Sequence, residues 1–530
     1  MKILSINIKA LIIALLVICT ISKADPPVSG IGVQLDSIEK KLEWIQHRLT
    51  LEQWEYHANG VSDSLDFYQD LYRYLLADSD ILKINPVGLA QLKDQEQKHR
   101  LQLLLANLLP DRVRFKPEIL KLSDSLNKLF TNFSSDLQGQ MLTLAELNKT
   151  YRSSRNRSER ENAFRAANAA GDSVSYGMSV IFKLRNQESV RLGYQNYFDM
   201  IASQTPLGTK SVLPFIYKLD SLTQQHFTTI STNALKTVGV NELELWDLDF
   251  IHSEINQKAD DFFNFDQELR VLDNVLERMG FEVEQLPIYF IRKSGADNLL
   301  TDNVFEIKAP HDVRIILTET DRELRMRQLL KTTGQALYAV HIAENKRVYN
   351  FLAQKTWQMA MSEIMALLAI DSLWLNDFAN MPVSFIRKYR KARYEQELIE
   401  VRMLLLNLHF EYEAYLNPDQ DLNKLYWNML QKYTGLPRHE DITVWASNRK
   451  FLNAPLYSIN LLLAKIIAAQ SVNYMNDYLG QPVDDLRTSA FLIQNYYRFG
   501  SRYSWTELLE RGTGEKLNPE HLVSHFQLSN

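Results

Sequence analysis

Apolar residues recur at intervals of three and four along most of the chain, and this period restricts the fold more than any other feature. Leu35, Ile38, Leu42, Ile45 and Leu49 form one such stripe, and Leu65, Tyr68, Leu71, Tyr72 and Leu75 form another. Residues spaced this way lie on one face of an α-helix, so the sequence predicts a mostly helical protein whose helices bury those faces against each other. The 18 glycines and 15 prolines in 530 residues are too few for the turns of a β-rich architecture. The 24 Tyr, 24 Phe and 8 Trp supply a core and argue against disorder. Breaks near Pro86, Pro110, Pro206-Leu207-Gly208, Pro287 and Pro437 are short, and no repeat or low-complexity linker divides the chain.

One region reads differently. Ile288 to Lys293, Val304 to Lys308 and Val313 to Thr318 are short β-branched or aromatic runs, separated by polar turns such as Ser294-Gly295-Ala296-Asp297. They predict a small antiparallel sheet set into a helical protein, directly before a helix over Glu323 to Ile342.

The N-terminus predicts export. Lys2 and Lys9 flank the 12-residue, mostly apolar run Ala10 to Ile21, and Ser22-Lys23-Ala24 offers small residues for cleavage before Asp25. That run is short of the roughly 20 residues that span a bilayer. Residues 1–24 are therefore read as a signal peptide and 25–530 as a single domain, periplasmic or secreted. A lipid anchor on Cys19 is the alternative, opposed by the bulky Ile18 before it. Cys19 is the sole cysteine, so the mature chain is expected to have no disulfide, thiolate metal site or cysteine nucleophile. Its absence suits a bacterial periplasm. Removing Lys2, Lys9 and Lys23 leaves 56 basic residues against 64 acidic, a net charge of −8. Nothing there favours nucleic acid or an anionic membrane as partner.

Four segments in order carry a family resemblance. Asp312-Val313-Arg314-Ile315, continuing to Gly334-Gln335-Ala336-Leu337-Tyr338, is one. Leu422-Asn423-Lys424-Leu425-Tyr426-Trp427, running into Lys432-Tyr433-Thr434-Gly435-Leu436, is the second. The tail from Tyr503-Ser504-Trp505-Thr506-Glu507 through Thr513-Gly514 to His525-Phe526 is the third. Arg185-Asn186 with Gly193-Tyr194-Gln195-Asn196-Tyr197 is the fourth. Together, from Asn162 onward, they resemble the angiotensin-converting-enzyme-like zinc peptidyl-dipeptidases; the last is shared with that family's oligopeptidase cousins. The resemblance implies an all-α, bilobed fold around a deep central channel that accepts extended peptides, with the small sheet beside the zinc helix.

It also shows what is missing. The family's mechanism uses HExxH on one helix, whose histidines share a face and bind zinc while the glutamate activates the metal-bound water. A glutamate 24 residues after the second histidine completes the site. On this chain the first histidine falls at Lys331, the glutamate at Thr332, the second histidine at Gln335 and the third ligand at Met359. A lysine with a reference pKa of about 10.4 offers zinc no lone pair at neutral pH. A threonine hydroxyl is no general base there. A carboxamide is a weak ligand, and a thioether suits copper(I) rather than zinc. Zinc and catalysis by this route are therefore expected to be absent.

The remaining machinery is eroded as well. Lys450-Phe451 matches the family's KF pair, but Leu452 stands at the histidine that would follow, and the arginine and tyrosine slots fall near Asn460 and Leu461. The resemblance makes Lys450 a residue that grips a peptide carboxylate; otherwise it is a surface lysine. In the family an acidic residue one turn past the third ligand supports a zinc histidine. Here it is Glu363, and an unpaired lysine in the cleft would be costly, so Lys331 and Glu363 are expected to pair in the former metal site.

Other constellations are weaker. His521 and His525 share the HxxxH spacing, but Leu522 stands where a catalytic glutamate would be, so a structural pair is expected. His341 and Glu344 are a fainter pair. Gly208-Thr209-Lys210-Ser211 lacks the spacing of a phosphate loop, and no GxSxG is present. The basic run Arg387 to Arg393 reads as a solvated helix face, or as a patch for an acidic partner. Two functions follow: a non-catalytic exported protein binding a peptide or protein in the retained channel, or a hydrolase with an unrecognised or metal-independent site.

Overall fold

A computed structural model describes residues 31–78, 81, 92–263, 268–293, 304–318 and 321–527 of the protein. The signal segment 1–24 with Cys19, Pro86 and the turn at 294–297 lie outside the described residues. The protein is mostly helical, with two small sheets.

The two apolar stripes fold as helices. Helix α1 (Ile31–Asn59) buries Leu35, Ile38, Leu42 and Ile45, and the helix Leu65–Leu76 buries Tyr72, Leu75 and Leu76. Helix α2 (Gln95–Arg114) starts where the Asp94 carboxylate accepts the Gln97 N–H at 2.8 Å, satisfying a donor that the first turn leaves unpaired. Its buried Arg100 donates to Glu39 at 2.7 Å and pairs with Asp36, fastening α2 to α1. A short hairpin of β1 (Ser134–Leu137) and β2 (Gln140–Thr143) follows. Helix α3 (Arg157–Arg191) opens under an Asn156 cap, and its Arg157 and Arg160 reach the fully buried Asp247 at 2.8 and 2.7 Å.

The second sheet contains β3 (Ile288–Lys293), β4 (Val304–Lys308) and β5 (Asp312–Thr318), ordered β3-β5-β4. The expectation of an antiparallel sheet is corrected here: the sheet is mixed. Three residues join β4 to β5, which therefore run antiparallel, whereas β3 lies on the other side of β5 and parallel to it, Ile288 opposite Val313. Central β5 buries Val313, Ile315, Ile316 and Leu317 on both faces, the near-continuous apolar run that suits a covered strand with a parallel neighbour. The polar turn after β3 suggested a hairpin to β4, but β3 and β4 are not neighbours. Arg314 of β5 donates to both oxygens of Asp312, at 2.9 and 2.8 Å, and lies over the Trp54 ring of α1.

Next come helix α4 (Arg322–Val340) and helix α5 (Lys355–Leu368), which cross closely at Gly334. Helix α6 (Val383–Leu416) packs on helix α7 (Leu422–Thr434), which ends at Gly435 with φ 70°. A positive φ of this kind suits a residue without Cβ. The basic run on α6 is only half a solvated face. Arg387, Lys388 and Lys391 are exposed, but Tyr389 and Arg393 turn inward onto the buried carboxylate of Glu323. A buried carboxylate needs such partners, and Arg327 also pairs with it.

Helix α8 (Arg449–Asn453) leads into helix α9 (Tyr457–Leu479), whose stretch Leu461 to Ala469 is buried on every side. Ser504 and Glu507 form a capping box at the start of helix α10 (Trp505–Thr513), which ends at Gly514. Gln354 clamps the same start, donating to the Tyr503 carbonyl at 2.6 Å and accepting from the Trp505 N–H at 2.9 Å. In helix α11 (Glu520–Gln527), His525 bonds Asn473 at 3.2 Å, and His521 bonds the same Asn473 at 3.3 Å and Glu515 at 2.8 Å, so the HxxxH pair is engaged in side-chain hydrogen bonds. His341 likewise bonds the Leu337 carbonyl at 2.7 Å, while Glu344 turns to Arg502. One continuous apolar core runs from Leu35 to Phe526.

Arg185 of α3 is buried and donates to the carbonyls of Phe451 and Leu452 and to the Tyr415 hydroxyl. Asn186 donates to the Tyr415 carbonyl at 2.7 Å and accepts the Tyr197 N–H at 2.9 Å. Beside them Glu411 accepts the Leu456 N–H at 2.8 Å. Burial pushes its carboxyl up to about 8, against the opposing pull of that N–H and of Arg185. The folded state therefore holds this proton at pH values where the unfolded chain has lost it, so stability falls as pH rises from the ordinary carboxyl range towards 8. Glu411→Gln keeps the acceptor and removes the titration. The variant is expected to gain on the order of a few kcal/mol over the parent at pH 8 and nothing at pH 4, read from urea midpoints across that range.

Candidate functional site

Helices α1 and α2 face β4, α5, α8 and the start of α9 across a cleft of about 1580 Å³. That exceeds the roughly 300–1,000 Å³ of small-molecule pockets and suits a longer ligand. Helix α1 meets the sheet through His47, bonded to the Ile307 carbonyl, and through the edge-on stack of Trp54 and Phe305.

The structure divides the residues singled out by sequence between the cleft wall and the protein beneath it. Gln335, Met359, Lys450 and Leu452 line the cleft, whereas Lys331, Thr332, Glu363 and Leu461 do not. Leu452 and Leu461 are buried, and Asn460 accepts the Thr356 hydroxyl at 2.8 Å. Thr332 turns its hydroxyl back to the Gln328 carbonyl of its own helix, at 2.9 Å. Lys450 lies with its amine 4.3 Å from the centre of the Tyr457 ring.

Lys331 and Glu363 form an ion pair, with side chains 41% and 5% exposed. It is part of a larger assembly that the sequence reading missed. Lys465 of α9 is buried and lies 3.2 Å from Glu363, 2.9 Å from Glu400 and 3.5 Å from Glu397. Four helices thus contribute to one charge network: α4, α5, α6 and α9. Burial works against the charge of Glu363, but the two ammonium groups outweigh it and hold the carboxylate well below its usual range. Burial likewise opposes the charge of Lys465, and its three carboxylates push it far above the ordinary lysine value. Burial leaves Glu397 raised. The available signal was Lys465 itself, a cation inside the otherwise apolar stretch Leu461 to Ala469.

Glu306 of β4 was also missed. Its Oε1 accepts from the side-chain amides of Gln335 at 3.1 Å and Gln358 at 2.8 Å. The Gln335 carboxamide is therefore engaged with a carboxylate in the cleft wall, next to Met359 in sequence through Gln358. An ammonium, a hydroxyl bonded to its own helix, a carboxamide and a thioether are not a zinc donor set. Among the described residues no three His, Cys, Asp or Glu side chains are grouped to hold a metal ion.

The fold is shared with solved structures described as peptidases. Similar structures include a protein provisionally assigned as an oligoendopeptidase F, at 16% identity and TM-score 0.68, covering 96% of this chain and 93% of the other. PZ peptidase A bound to an inhibitor is similar at 16% identity and TM-score 0.67, covering 96% and 98%. The M32 carboxypeptidase of Deinococcus radiodurans R1 is similar at 11% identity and TM-score 0.60, covering 94% and 99%. The sequence matches no family model and no curated protein.

Proposed function

We propose that the protein is an exported, degenerate relative of the zinc peptidyl-dipeptidases that holds an extended peptide or protein segment in its cleft without cutting it. The observation that carries this reading is the charge network beneath the cleft wall: Lys331 is held by Glu363, while Gln335 and Met359 line the cleft where the family would place zinc ligands. Support for the particular family comes from the four sequence segments, and support for export from the apolar N-terminal run. No helix among the described residues is long and apolar enough to cross a membrane.

The second reading, a hydrolase with another constellation, draws on the three similar structures named above, each described as a peptidase. The residues favour the binder and the comparisons favour the hydrolase, so the deciding experiment measures both. Purified protein is assayed for zinc by mass spectrometry, for cleavage of a mixed peptide library with and without chelator, and for peptide binding by calorimetry. Binding without stoichiometric metal and without cleavage is the expected result. Cleavage that survives chelation would establish a metal-independent hydrolase, and one zinc per chain with chelator-sensitive turnover would establish a metal-dependent one; either would refute the binder.

A further inference from the structure

The charges on the cleft wall are unbalanced in a direction opposite to the whole chain. The chain carries a net charge of −5, yet the cleft is lined by seven Lys or Arg against three Asp or Glu. The three acids are all engaged. Glu43 pairs with Arg347 at 3.0 Å, Asp111 accepts the Tyr72 hydroxyl at 2.8 Å and lies 3.4 Å from Arg114, and Glu306 takes the two carboxamides. Of the cations, Arg185 is spent on backbone carbonyls. The exposed amines of Lys40, Lys308, Lys355 and Lys450 remain, and no described carboxylate lies within 4.0 Å of any of them. Burial lowers the Lys450 amine below the ordinary lysine range, as do Lys331 and Lys465, and Glu400 opposes them only from beyond that distance. The four come from α1, the end of β4, the first turn of α5 and α8, so they surround the cleft rather than cluster at one edge.

We infer that the cleft selects acidic peptides, extended segments with Asp or Glu side chains spaced to meet these lysines. The inference rests on the peptide-binding reading and names its ligand class. Low-dielectric walls lined by one sign of charge concentrate an oppositely charged ligand and reject a like-charged one. The rest of the acidic surface repels the same ligand, which directs it to the cleft.

The test uses the full chain and short fluorescein-labelled peptides of matched apolar content that are acidic, neutral or basic, followed by anisotropy. The acidic peptide is expected to bind at least about tenfold tighter than the basic one. That preference should disappear between about 0.1 M and about 1 M salt, as the screening length falls from about 10 Å to about 3 Å. It should also disappear in the double variant Lys308→Glu, Lys355→Glu, with the neutral peptide bound as before and the melting temperature unchanged, since both side chains are exposed. Equal affinity for all three peptides would overturn the charge selection and leave peptide binding standing. Binding of none would overturn both. Displacement of the acidic peptide by single-stranded RNA at equal charge concentration would overturn selection for peptides.

Discussion

Glu363→Ala is expected to lower the stability of the protein by up to about 3–5 kcal/mol, the full cost of stranding a buried charge less what the remaining partners of Lys465 recover. The carboxylate sits between two cations, and the one that matters more is Lys465, which is buried among α5, α6 and α9. After the substitution Lys465 keeps Glu400 and Glu397. Lys331, 41% exposed, can turn to water. For that reason Lys331→Ala is expected to cost only about 0–1 kcal/mol, the range of exposed pairs. The pH dependence follows from the sign of the shift. The folded state favours the charged form of Glu363, so its contribution is present above the usual carboxylate range and is lost as pH falls through its depressed value. The gap between parent and Glu363→Ala should therefore shrink in acid. Urea midpoints for the parent and both single variants, at neutral and acid pH, read this directly. Equal midpoints for Glu363→Ala and the parent at neutral pH would show that the network contributes nothing.

Gly334→Val is expected to be the second most damaging change, at about 1–3 kcal/mol or more from overpacking. A Cβ placed on Gly334 would stand 2.4 Å from the Met361 carbonyl oxygen and 2.8 Å from the Met365 Cγ. The first is backbone of α5 and can give way only if the helix moves. Helix propensity pulls the other way, since a glycine inside a helix costs about 1 kcal/mol relative to alanine. Gly334→Ala separates the two effects: a loss of stability measures the close crossing, whereas a gain of about 1 kcal/mol would mean that α4 and α5 have room to spare. Thermal melts of both variants decide the matter.

Gly334 also explains what the sequence made legible. The resemblance was carried by residues whose work is structural. Gly334 lets two helices cross, Gly435 and Gly514 end helices in the left-handed region, Ser504 and Glu507 start one, Asp312 and Arg314 brace a strand, and Arg185 with Asn186 ties α3 to α6 and α8. Packing requirements of this kind persist whatever chemistry the cleft performs, so a fold can be read from them. The helical period was legible for the same reason, since each stripe is one buried face. The direction of β3 was not, because strand partners are set by burial of β5 and not by the turn beside it. The network around Lys465 was hidden by distance: Lys331, Glu363, Glu397, Glu400 and Lys465 are brought together only by tertiary packing. Glu306 was hidden because a single acid on a short strand carries no pattern. The inward half of the run Arg387 to Arg393 was hidden because its partner, Glu323, lies on another helix.

Lys465 has a consequence for any cation brought to the Glu363 carboxylate. A divalent ion placed at the Glu363 carboxylate would meet a buried ammonium on the carboxylate's other oxygen. Histidines and glutamates introduced at positions 331, 332, 335 and 359 would leave that repulsion in place. A cation at this carboxylate is therefore opposed by a neighbour on a different helix, and a metal site built there would need that lysine replaced along with the ligand positions.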